Sequence, residues 1–189
     1  MVAFYDIIVV GAGHAGCEAA LAASRLGRSV MMVTMRHDHI GRLSCNPAVG
    51  GLAKGNLVRE IDALGGAMGR VADRSTIQFR RLNTRKGLAV QASRAQVDID
   101  RYPIEMRAEI QKAPKLTVKE GEAVDLVVDG QQVVGVVLGT GEEVRSQAVI
   151  LTTGTFLSAV MHCGHDQVQG GRVGEAAASQ LSDRLRGLG

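Results

Sequence analysis

Long hydrophobic runs are missing from this 189-residue sequence. The longest early apolar run, residues 7–10, is far too short for a membrane-spanning helix or a signal-peptide core, and no basic segment precedes it. A membrane span or a secretory leader is therefore not indicated. We expect a cytoplasmic protein.

Cysteine is also scarce. The three cysteines, at positions 17, 45 and 163, are odd in number, lie far apart and form no C-x-x-C motif, so neither a disulfide framework nor a structural zinc site is indicated. His162, Cys163 and His165 lack a fourth ligand and the usual spacing, which favours strand packing and predicts no metal site. Cys17 is interpreted as a small buried residue facing a sheet.

Tryptophan is absent, and the sequence has three prolines and five aromatic residues, but it has 24 glycines. Many glycines allow backbone to come close to a partner, as in nucleotide-binding α/β domains. The net charge of +3 does not by itself indicate nucleic acid. Positions 80–107, however, contain seven basic residues and three acidic ones. Both a phosphate-bearing partner and a solvated basic loop and helix face remain open there.

The glycine motif at 11–16, GAGHAG, stands between an apolar run at 5–10 and a small-residue helix predicted over about 17–26. With a second apolar run at 29–34, it predicts a β-α-β phosphate-binding unit over residues 1–34. The first glycine permits the turn, the second lets backbone approach a pyrophosphate, and the third lets helix and strand pack closely. The predicted cofactor contacts are Gly11, Ala12, Gly13, His14, Ala15 and Gly16, with His14 at the loop tip.

The second strand ends without the acidic residue that usually binds a ribose hydroxyl, which weakens the interpretation of this unit as a generic NAD-binding domain. Thr34 stands near that position, and its hydroxyl can contact ribose or phosphate. Arg36 could favour a cofactor that carries an additional phosphate group.

Residues 35–115 are predicted to form a loop and helical insertion, with helices over about 52–64 and 100–112. It contains Cys45 in the stretch SCNPAVGG. Pro47 favours an extended Asn46, while Arg42, Lys54 and a helix start could lower the pKa of the thiol. From these residues alone, packing and reactivity of Cys45 are equally supported.

Residues 116–155 are predicted to be a strand plus an antiparallel meander, with strands at 123–128, 133–138 and 144–151. The predicted class is α/β: a Rossmann-like FAD-binding domain of the flavin reductase type, with a parallel sheet and an inserted antiparallel β-meander. The turn containing Gly154 would close on the same cofactor. A trailing segment, 156–189, includes an amphipathic helix over about 175–186 with Leu181 and Leu185 on one face.

Several stretches resemble the N-terminal part of the MnmG (GidA) family of tRNA uridine 5-carboxymethylaminomethyl modification enzymes. They are VVGAGHAGCEAALAASRLG, GRLSCNPAVGGLAKGNLVREIDALGGAMGRVAD, IQFRRLNTRKGLAVQASRAQVD, and ILTTGTFL followed by GGRVGE. The resemblance runs from about residue 5 to 188. The family's later nicotinamide-binding and C-terminal helical domains are not among these 189 residues.

The resemblance implies an FAD enzyme that modifies the wobble uridine of certain tRNAs. It also implies the GTPase MnmE as partner, methylene-tetrahydrofolate and NADH as co-reactants, and a homodimer within a heterotetramer. Gly11 to Gly16 match the family's FAD phosphate loop, and Ala123 matches a backbone contact to the adenine end of FAD. Ala178 falls where a serine usually contacts FAD, and Cys45 matches the cysteine implicated in uridine chemistry.

Two other readings remain open. One is another enzyme, either a folate- and FAD-dependent tRNA methyltransferase of the TrmFO type or a generic flavin disulfide reductase. The Thr34 strand end and the SCNPAVGG loop argue against the first, and the lack of C-x-x-C argues against the second. The other reading is a non-catalytic FAD- or RNA-binding fragment.

Overall fold

The computed structural model describes residues 3–43, 46–155, 157–170 and 179–188. Five helices are described: α1 (His14–Arg25), α2 (Lys54–Ala63), α3 (Met68–Ser75), α4 (Arg101–Lys112) and α5 (Ser179–Gly187). The strands are β1 (Phe4–Val10), β2 (Val30–Thr34), β3 (Ala48–Gly50), β4 (Thr76–Leu82), β5 (Ala92–Val97), β6 (Leu116–Glu120), β7 (Ala123–Asp129), β8 (Gln132–Leu138), β9 (Glu143–Leu151), β10 (Val160–Cys163) and β11 (Asp166–Gln169). Short 3-10 turns lie at His37–His39 and Leu88–Val90.

A six-stranded sheet in the order β6-β2-β1-β9-β8-β7 organises the fold. The first four strands in that order are parallel, and β7, β8 and β9 form an antiparallel meander. β9 belongs to both parts, because Arg145 pairs with Phe4 of β1 and also with Gly135 of β8. The predicted parallel sheet with its meander is confirmed.

The two central strands send alternate side chains into two cores. Val9 and Met32 join a cluster that includes residues of α1 and α4. Ile8 and Met31 join a second cluster made by the meander and Leu181 of α5. All five residues of β2 are buried, as expected for an inner parallel strand covered on both faces. The predicted apolar face of α5 is confirmed, since Leu181 is buried and Leu185 packs beside it.

A second, antiparallel sheet in the order β3-β5-β4 lies in the insertion. The sequence patterns predicted a loop and a basic stretch here, so these three strands are a departure from the prediction. One face of this sheet contributes to the core, since Val49, Ala95 and Val97 enter the cluster that contains residues of α1 and α4. β4 is an edge strand whose residues are mostly exposed, so its burial does not alternate as it does in a half-buried strand.

Polar contacts attach α3 and α4 to the rest of the fold. The carboxylate of Glu18, on α1, accepts backbone N–H bonds from Ala67 at 2.8 Å and from Met68 at 2.6 Å, where α3 begins. Arg74 of α3 pairs with Glu105 at 2.8 Å and Glu109 at 2.7 Å on α4. The Glu18 cap thus joins α3 to the glycine-motif helix α1, and the charge network joins α3 to α4.

The trailing segment also contains more structure than predicted, because β10 and β11 form a hairpin. Residues 160–163 lie in a strand, as favoured for the MHCGH stretch. No helix among the described residues has both the length and the apolar character needed to cross a membrane.

Candidate functional site

The glycine motif forms a turn that is locked against the end of β9. Gly11 has φ +102°, and a Cβ there would collide with the backbone of Thr152. The Thr152 hydroxyl donates to the carbonyl oxygens of Val10 at 2.8 Å and Gly11 at 3.1 Å. A Cβ on Gly16 would overlap the carbonyl of Gly11. Two of the three glycines are therefore required by contacts within the protein.

Gly13 differs from its two neighbours in the motif. A Cβ built on this residue meets nothing within 4 Å, so the chain leaves space in front of it. Gly13 is the N-cap of α1, without a side-chain cap and with no acidic residue in the first turn. The first amides of a helix point out of its N-terminus and carry partial positive charge, which suits an anion.

A cavity of about 350 Å³ opens at this helix start. It brings together residues from the carboxyl ends of β1, β2 and β9 and from the start of β7, the usual ligand position in an open α/β sheet. The predicted cofactor residues that line it are Gly11, Ala12, Gly13, His14, Ala15, Thr34, Ala123 and Gly154. Gly16 lies beneath the turn rather than on the cavity wall, because its role is to let α1 approach Gly11.

The cavity wall includes residues that the sequence did not indicate as cofactor contacts. Thr152 locks the glycine turn, Glu122 is the acidic residue among the described lining, and His39 and Arg42 come from the segment after β2. Thr152 was detectable, since it precedes Gly154 in the same turn. The others carry no local signal, because their position depends on how separate strands are arranged.

The end of β2 is held by local hydrogen bonds. The Thr34 hydroxyl is buried and donates to the carbonyl of Arg36 at 3.1 Å. Arg36 forms a bidentate pair with Asp38, with distances of 2.9 and 2.6 Å. The backbone N–H of Gly121 donates to the Thr34 carbonyl at 2.8 Å, which brings the start of the meander to the cavity.

His14 begins α1 rather than standing at a loop tip, which corrects the sequence expectation. Its ring lies edge-on to Tyr102, with centroids 5.6 Å apart and planes at 83°. Burial, with a smaller effect from Lys54, lowers the pKa of His14 and favours the neutral ring. Within the described residues, His14 Nδ1 and Tyr102 Oη are buried polar atoms without a hydrogen-bond partner.

Cys17 is a packed thiol, as predicted. Its side chain is fully buried, and Sγ donates to the carbonyl of Ala12 at 3.3 Å. Burial raises the pKa of the thiol to about 12, so the reactive thiolate is strongly disfavoured. Its contribution is to the packing of α1 on the sheet.

Cys45 and Ala178 lie outside the described residues, and their predicted roles stay predictions. The chain on either side of Cys45 is well anchored. Before it, Leu43 is buried and Gly41 N–H donates to the carbonyl of Ala12 at 2.9 Å. After it, the Pro47 carbonyl accepts from Val97 N–H at 2.7 Å.

The parallel sheet, the glycine turn entering α1 and the meander define a Rossmann-like α/β fold. A flavin-dependent brominase shares this fold at 20% identity, with a TM-score of 0.58 over 82% of this chain and 40% of that one. Residues 6–189 match the family model described as glucose inhibited division protein A. The chain belongs to that family.

Two further comparisons agree with this assignment. The MnmG tRNA uridine 5-carboxymethylaminomethyl modification enzyme of Myxococcus xanthus is 56% identical over 98% of this chain. The structure of Aquifex aeolicus GidA matches with 50% identity and a TM-score of 0.92 over 96% of this chain. The chain spans 30% of the length of each of these proteins.

Proposed function

We propose that this chain is the FAD-binding N-terminal part of an enzyme that modifies the wobble uridine of certain tRNAs in the cytoplasm. One observation carries the cofactor part of the proposal: the cavity joins an uncapped helix start to Thr34, Ala123 and Gly154. The tRNA part rests on the relatives, which are named as tRNA uridine 5-carboxymethylaminomethyl modification enzymes.

The residues of the cavity fit FAD. The pyrophosphate would lie at the N-terminus of α1, in the space before Gly13, where amides and the helix dipole favour negative charge. The adenine end would reach the backbone of Ala123, and the ribose would lie near Thr34. When bound, FAD supplies the redox chemistry, and the chain binds and orients it. Ala178 would add a contact from the trailing segment.

A charge introduced at Gly13 tests the cofactor site. Gly13 has the extended φ and ψ of −70° and −171° that suit an N-cap. In Gly13→Asp, the carboxylate would cap α1, occupy the open space and repel a pyrophosphate. We expect FAD affinity to fall about 100-fold or more, while the melting temperature is unchanged or higher. Titration of FAD, followed by flavin absorbance and fluorescence, measures the affinity.

Gly13→Ala is the matched control, because it adds one carbon without charge and should weaken FAD binding much less. Wild-type chain that takes up no FAD would contradict the cofactor assignment. Equal affinity of Gly13→Asp and wild type would contradict the position of the pyrophosphate.

The uridine chemistry is assigned to Cys45. A thiolate that adds to C6 of a pyrimidine makes C5 nucleophilic, and C5 would then form a bond to the incoming one-carbon group. Loss of the C5 proton would break the S–C6 bond, restore the C5–C6 double bond and release the thiolate. Acid/base help at C6 is the alternative role for the same side chain. The complete family enzyme would also use NADH and methylene-tetrahydrofolate, act with the GTPase MnmE, and form a homodimer within a heterotetramer.

Cys45→Ser tests this role in a full-length family enzyme that carries this N-terminal part. We expect the modified wobble uridine to fall about 100-fold or more, because serine is a much weaker nucleophile at neutral pH. Mass spectrometry of digested tRNA measures the product. Cys17→Ser is the matched control, since Cys17 is a buried packing residue. A normal level of modified wobble uridine in Cys45→Ser would contradict the role of Cys45 in the uridine chemistry.

A further inference from the structure

The face of the three-stranded sheet that points away from the core of α1 and α4 carries a pair of arginines that stand opposite each other. Arg80 of β4 stands directly opposite Arg94 of β5, and Gln78 stands opposite Gln96. Side chains alternate between the two faces of a strand, and Ala95 enters the core. These four residues, here called the Arg80–Arg94 face, therefore lie on the side of the sheet away from that core.

Arg80 and Arg94 have no acidic partner within the parts of the chain that the structure describes. Like charges placed directly opposite on a sheet destabilise it, and Arg94 is also half-buried. Arg74 provides a contrast within the same insertion, because its guanidinium reaches both Glu105 and Glu109. The Arg80–Arg94 pair thus concentrates positive charge without internal compensation.

The neighbouring strand β3 presents small residues beside this face. On β3, Ala48 pairs with Gln96, and Gly50 pairs with Arg94. These two residues are small, so no long side chain from β3 covers the arginines. β3 begins at Ala48, which is three positions after Cys45 in the sequence.

We propose that the Arg80–Arg94 face binds the sugar–phosphate backbone of tRNA. The two guanidinium groups would contact phosphates, and the amides of Gln78 and Gln96 would donate to phosphate or ribose oxygens. This rests on the proposed tRNA-modifying function and assigns a surface to its substrate. Arginine suits the task, because its planar fork matches phosphate and stays charged at all relevant pH values.

Charge removal on the two faces of β4 tests the proposal. Arg80→Gln, Arg94→Gln and the double variant are compared with Arg81→Gln, which removes a charge one position away on the opposite face. The probe is an unmodified transcribed tRNA, and fluorescence anisotropy measures its affinity for the chain between 50 and 200 mM salt. Melting temperatures are measured on the same samples.

We expect the double variant to bind tRNA about tenfold or more weakly, with the salt slope reduced by about one for each lost phosphate contact. Arg81→Gln should change affinity less than about threefold. Because like charges no longer oppose each other, the melting temperature of the double variant should be unchanged or higher. Arginines that serve only structure would instead leave tRNA affinity unaltered when replaced.

Three outcomes overturn the surface assignment. The first is an equal loss of affinity in Arg81→Gln and the double variant, and the second is an unchanged salt slope in the double variant. The third is competition by poly-L-glutamate as strong as competition by tRNA, which would indicate an acidic protein partner. If wild-type chain binds tRNA but the variants bind equally well, only this surface is wrong. If wild-type chain takes up FAD but binds no tRNA, both this surface assignment and the proposed tRNA-modifying function are wrong.

Discussion

The glycine turn of the β-α-β unit (residues 1–34) and the helices α3 and α4 of the insertion (residues 35–115) are held in place by different kinds of contact. In the first, close contacts between glycines and neighbouring backbone leave no space for a side chain at Gly11 or Gly16. In the second, long polar side chains make the connections, as Glu18 does for α3 and Arg74 does for α4. A steric clash with backbone costs much free energy and acts locally. Each polar contact contributes less free energy, but it can join segments that are far apart in the chain.

The largest expected effect comes from filling the tight contact in the first region. A Cβ on Gly16 overlaps the Gly11 carbonyl and approaches the Thr152 hydroxyl at 2.7 Å. We expect Gly16→Val to destabilise the fold by about 3–5 kcal/mol, because the backbone of Gly11 can move aside only at a large cost in free energy. Urea unfolding followed by circular dichroism measures this. Gly13→Ala, in the open part of the same motif, is the control, and a similar loss there would show that the contrast is wrong.

An intermediate effect is expected from the bridge between the regions. Glu18→Ala removes the acceptor for the amides of Ala67 and Met68. We expect a loss of about 1–3 kcal/mol, the cost of an N-cap and of partly buried donors left without a partner. Glu142→Ala breaks an exposed ion pair with Lys119 and should cost less than about 0.5 kcal/mol. Equal losses of stability in the two variants would mean that the Glu18 cap contributes no more than an exposed ion pair.

The smallest effect is expected from a pH-dependent contact within the first region. Ser29 donates to the Asp6 carboxylate from its backbone N–H at 2.7 Å and its hydroxyl at 2.9 Å, which lowers the pKa of Asp6 below its ordinary value of 3.8. A lowered folded-state pKa means that the stabilisation is present above the unfolded-state pKa. It is lost as the pH falls through the folded-state value.

Asp6→Asn should therefore lower the melting temperature slightly at pH 7, and the difference from wild type should shrink below about pH 4. Scanning calorimetry from pH 7 to pH 2 measures this difference. Asp73→Asn, at an exposed position on α3, is the control and should show a smaller difference at pH 7. A difference that is constant with pH would rule out the Ser29 contact as its cause.

The same contrast explains which parts of the fold were predictable. The β-α-β unit and the meander were recognisable because their strands are buried in regular patterns and their turns contain glycine. The strand β4 was missed because the alternation of Ile77 and Phe79 with polar residues is short and ends at Arg80 and Arg81. Its two apolar side chains are also mostly exposed, at 69% and 63%, so they do not mark a core face. Arg80 and Arg94 looked like a charge run, although β-pairing places them opposite each other.

The candidate site divides in a similar way. Residues 11–15 of the glycine motif, with Thr34, Ala123 and Gly154, were selected from the sequence and its resemblance, and they line one cavity. Glu122, His39 and Arg42 were not selected, because each reaches the cavity through the arrangement of separate strands. His14 was placed on a loop, whereas the helix begins there and its ring packs on Tyr102.

By itself, the sequence determined the glycine turn, the order of the main strands and helices, and the family to which the chain belongs. These features depend on local backbone requirements and on patterns carried by consecutive residues. Only the tertiary structure decided that Thr152 locks the turn, that Glu18 caps α3, and that two arginines share one sheet face. Those contacts join residues far apart in the chain, and their geometry is set by strand register and packing rather than by neighbouring residues.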